Sequence, residues 1–91
     1  MRINGLTGII DLPATIYPGM FEGEVQVTVK INGDEINLIV SMDSVEITEE
    51  PSDKGLEGTL LAEIVNKTDK GYLIHLPGEV QGASNRIEYV A

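Results

Sequence analysis

The chain has 91 residues, no cysteine and a net charge of −9, from 15 acids against 6 bases. This length supports one core and one domain, residues 1–91. The missing thiols exclude disulfides and thiolate metal sites, and the charge opposes binding to phosphate backbones and anionic membranes. The composition favours strands, since Val, Ile and Thr total 25 residues against 4 Ala, and β-branched side chains pack well on a pleated surface. The run Met1–Gly8 lacks the apolar core of a secretory signal, and no later stretch is long enough to span a bilayer. A cytoplasmic location is the resulting expectation.

In chain order, Leu6–Leu12 reads as a first strand, with Pro13 and Pro18-Gly19 expected to break the path before Met20-Phe21. A hairpin follows at Glu24–Val40. Val25, Val27, Val29 and Ile31 alternate with polar residues, Asn32-Gly33 is the favoured pair for a type I′ turn, and Ile36, Leu38 and Val40 continue the pattern on the return. A two-residue turn sets Val29 opposite Ile36, Val27 opposite Leu38, and Lys30 opposite Glu35 as a favourable charge pair.

After Met42 the apolar parity changes from even positions to the odd Val45 and Ile47. A period of two cannot switch faces without an extra residue, so a bulge is expected near Asp43-Ser44. Thr48–Gly55 reads as a polar loop. Gly58–Asn66 fits either a strand or one face of a short helix. The strand is favoured because Lys67–Gly71 has hairpin-loop composition and Tyr72, Ile74 and Leu76 supply a return strand. Arg86–Val90 closes the chain with Ile87 and Tyr89 on one face.

About six short, mainly antiparallel strands at this turn spacing predict an all-β fold, a small single-domain barrel or compact sandwich of SH3-like or OB-like type. Pro18-Gly19-Met20-Phe21 and the alternating valines behind it resemble the lead-in to a barrel strand in bacterial membrane-fusion adaptor proteins. The likeness covers about a dozen residues, and the coiled-coil hairpin and lipoyl-like halves of that family have no counterpart here, so no kinship is inferred.

The residues that could carry chemistry are few. His75 is the one histidine, and it lies between Ile74 and Leu76, pointing away from the face those two bury. No catalytic residue, metal ligand or cofactor is therefore assigned. Zinc lacks its usual ligands. The acidic residues Asp43, Glu46, Glu49, Glu50, Asp53 and Glu57 match no calcium-loop pattern and read as a solvated rim. Neither Gly5–Gly8 nor Gly55–Gly58 fits a phosphate-binding glycine loop. Small barrels often bind single-stranded nucleic acid, with a basic groove and stacking aromatics; here the bases are scattered and the aromatics are Tyr17, Phe21, Tyr72 and Tyr89.

The function expected on these grounds is a non-catalytic interaction module or accessory subunit, binding a protein partner or a second copy of itself. Ile39, Leu61, Val65 and Leu73 fall on nominally outer strand positions and form the expected interaction surface. The alternatives are a single-stranded nucleic-acid-binding barrel and a small enzyme that uses carboxylates.

Overall fold

The computed structural model describes residues 2–4, 8–80 and 84–90. It is an all-β fold. The strands are β1 (Arg2–Asn4), β2 (Ile9–Pro18), β3 (Glu24–Ile31), β4 (Asp34–Ser41), β5 (Val45–Glu46), β6 (Leu56–Lys67), β7 (Gly71–His75), β8 (Glu79–Val80) and β9 (Arg86–Val90). They form one antiparallel sheet in the order β8-β4-β3-β2-β6-β7-β9, with β1 on β2 and β5 on β6. Six strands are long enough to carry the sheet, and β1, β5 and β8 are short additions.

The hairpin β3–β4 has the expected register. Val29 faces Ile36, Val27 faces Leu38 and Lys30 faces Glu35. Asn32 and Gly33 both have positive φ, 54° and 86°, as a type I′ turn requires. Gly58–Asn66 is strand throughout, inside β6. Its inner residues Leu60 and Ala62 are buried, and Ile64 lies opposite Ile74 of β7.

Three features differ from the expectation. The face change after β4 is made by a 3-10 turn, Met42–Ser44, rather than by a bulge. The turn delivers Val45 into the core opposite Leu60. A register shift does occur, but in β6 between Ile64 and Asn66, with Val65 as the extra residue. Pro13 lies within β2 instead of ending it. Along β2 the pairing with β1 runs as far as Asp11, opposite Arg2, and the pairing with β3 starts at Ala14, opposite Val29, so Pro13 falls in the gap between those two pairings, where no ladder bond on that side is forfeited. Of the expected first strand, residues 6 and 7 lie outside the described residues.

The sheet curls because one stretch of chain serves both ends. β7 pairs with β6 and β9. After Leu76-Pro77-Gly78 the same path becomes β8 and pairs with β4 at Leu38 and Ile39. Gly78 (φ +70°) makes this passage possible, since a Cβ there would overlap the Ile39 carbonyl and press on Val40. The Asn85 carboxamide donates to the carbonyls of Leu76 (3.0 Å) and Gly78 (2.6 Å), fixing the bend. On the far side, Asn32 spans from the β3–β4 turn to β9. Its Nδ2 donates to the Glu88 carbonyl at 2.6 Å, and the Val90 N–H donates to its Oδ1 at 2.9 Å.

The interior of the curl is filled by Ile10, Leu12 and Ile16 of β2, the valines of β3, Leu38 and Val40 of β4, and Leu60, Ile74 and Leu76. Among the described residues no polar or charged residue is buried. The buried core of the described residues is thus apolar.

Candidate functional site

Among the described residues, the most exposed large hydrophobic side chains lie on the connection between β2 and β3. Pro18 ends β2, and Gly19 follows at a point where the chain folds back on itself. A Cβ at Gly19 would overlap the Glu24 carbonyl, so only glycine permits this approach. The Glu24 N–H donates to the Phe21 carbonyl at 3.2 Å, closing the turn. The Met42 N–H donates to the Gly23 carbonyl at 2.9 Å and ties the end of β4 to the same turn.

This bonded connection carries two neighbouring apolar residues into solvent. Met20 is 80% exposed and Phe21 69% exposed, against 43% for Met42 beside them. Single exposed apolar residues are ordinary on a protein surface. Here Met20 and Phe21 are adjacent in sequence and line two separate depressions. Phe21, Met42, Pro18 and Pro51 line one open depression, together with Glu22 and Glu50. Met20 lines another on the outer face of β2, β3 and β4, with Tyr17, Gln26, Asn37 and Ile39. In that second depression the Thr28 hydroxyl donates to Asn37 Oδ1 at 2.8 Å.

The four residues expected to form one interaction surface are not brought together in any one depression. Ile39 is half-buried and joins the Met20 depression. Leu61 and Leu73, also half-buried, belong to β6 and β7. Leu61 lines a depression with Glu63, His75 and Pro77. Val65 is the bulge residue and is 39% exposed. Met20 and Phe21 were not among the four, because in sequence two apolar residues ahead of a strand are indistinguishable from the start of that strand.

The rim residues Asp43, Glu46, Glu49, Glu50, Asp53 and Glu57 are all exposed. Five of them lie on the path between Met42 and Gly55, which leaves the Phe21 end at Met42 and returns to it at Glu50-Pro51. Segments 18–25 and 41–55 together hold seven acids and one base, Lys54, a net of −6 out of the chain's −9. Of these acids, Glu22, Glu24 and Glu50 line the depression beside Phe21.

A further depression on the outer side of β2, β3 and β6 is lined by Pro13, Thr15, Thr28, Lys30, Glu35 and Glu57. His75 is exposed, between buried Ile74 and Leu76, and in register with Glu63 on one side and Arg86 on the other. Among the described residues, no group of three or more histidine or carboxylate side chains is placed to hold a metal ion. No helix among them is long and apolar enough to cross a membrane. Comparison with protein-family models, with curated proteins and with solved structures finds no match to this chain.

Proposed function

We propose that this domain is a non-catalytic interaction module that docks a protein partner through its Met20–Phe21 end. The observation that carries the reading is the pair itself, two adjacent large apolar side chains exposed on a turn fixed by backbone hydrogen bonds. Burying each is worth about 1.5–3 kcal/mol. A domain of this size has a net stability on the order of 5–10 kcal/mol, so two such residues in water are a large unrealised contribution. Aromatic residues and methionine are enriched at protein interfaces. Ile39 and Tyr17, on the adjoining sheet face, extend the surface. The surrounding acids supply a polar rim.

The test is co-purification from the native cell with the tagged chain and with a Met20→Ser/Phe21→Ser variant. Both residues are exposed, so the variant keeps the fold and all charges. The expected result is at least one protein retained by the wild type and depleted about tenfold with the variant. Identical sets of co-purifying proteins would overturn the reading.

A further inference from the structure

We infer that the partner at the Met20–Phe21 end presents an apolar centre ringed by cationic side chains, an inference that rests on the docking reading above. Three occupants are physically possible: a second copy, an anionic macromolecule or a cationic protein surface. A second copy seated on this end would face Glu22 and Glu50 with their own equivalents, and these carboxylates line the depression beside Phe21. Like charges directly opposed across an interface disfavour the contact. Anionic macromolecules meet the same repulsion, because the segments forming this end offer only Lys54 as a counter-charge. A cationic rim removes the conflict. It pairs with the carboxylates while an apolar side chain fills the space between Phe21, Met42 and Pro51. Complementary charge also speeds encounter and rejects wrong partners.

The experiment titrates the whole domain with two fluorescent amphipathic peptides of roughly 18 residues, one of leucine and lysine, the other of leucine and glutamate. The expected result is binding of the lysine peptide at least about tenfold tighter than of the glutamate peptide, weakening about tenfold between roughly 50 and 500 mM salt. Met20→Ser/Phe21→Ser should weaken lysine-peptide binding about tenfold with every charge retained. Equal binding of both peptides, lost in that variant, would overturn the cationic partner and leave the docking end intact. Lysine-peptide binding that the variant leaves unchanged would mark general charge attraction and overturn the site. Binding of neither peptide would overturn the inference and the docking reading together. Self-association in sedimentation that the variant abolishes would assign the end to a second copy instead.

Discussion

Replacing Asn32 with glycine isolates the clamp that joins the β3–β4 turn to β9. Asn32 sits at φ 54° and holds two hydrogen bonds across the fold, to the Glu88 carbonyl and from the Val90 N–H. Glycine keeps the left-handed backbone at no steric cost and removes both bonds. Each is worth about 0.5–1.5 kcal/mol net, so the pair contributes roughly 1–3 kcal/mol. For a domain of this size 1 kcal/mol corresponds to about 4–8 °C, so Tm should fall by roughly 5–20 °C. Asn32→Ala adds a left-handed penalty of about 1–2 kcal/mol and should melt lower still. Thermal unfolding by circular dichroism gives the order, and amide exchange at Val90 locates the effect, since that N–H loses its acceptor. A glycine variant that melts within about 1 °C of wild type, with Val90 exchange unchanged, would refute the reasoning.

Gly78→Ala should destabilise by about 2–4 kcal/mol, combining overlap with the Ile39 carbonyl and a positive φ; urea unfolding measures it, and a loss below about 0.5 kcal/mol would contradict the close approach of β8 to β4. The domain should not bind a labelled single-stranded oligonucleotide at micromolar concentration in about 150 mM salt, because the net charge is −9. Fluorescence anisotropy checks this, and saturable binding would restore the nucleic-acid alternative.

The parts of the fold legible in sequence are those governed by local periodicity. The β3–β4 hairpin follows from four alternating apolar residues and an Asn-Gly turn, and its register appears in the structure pair by pair. The strand character of β6 and the inward face of β9 follow in the same way. What local reading misses depends on residues distant in sequence. Nothing near Val65 announces a bulge; the shift reconciles β6 with β7 where Asn66 must meet Leu73. Pro13 is tolerated in β2 only because β1 and β3 leave a gap beside it. Asn32 reads as a turn residue, and its second role is visible only once β9 arrives 56 residues later. The acidic character of 41–55 is plain in sequence, whereas its convergence with Met20 and Phe21 requires the turn at Gly23 and the bond from Met42.

Position-specific photo-crosslinking tests the central claim most directly. A photoreactive phenylalanine analogue in place of Phe21, activated in the native cell, is compared with the same group at Lys67, an exposed position on β6 outside the Met20–Phe21 end. The account predicts a discrete protein adduct from position 21 and none from position 67. No adduct at position 21, or the same adducts from both positions, would contradict it.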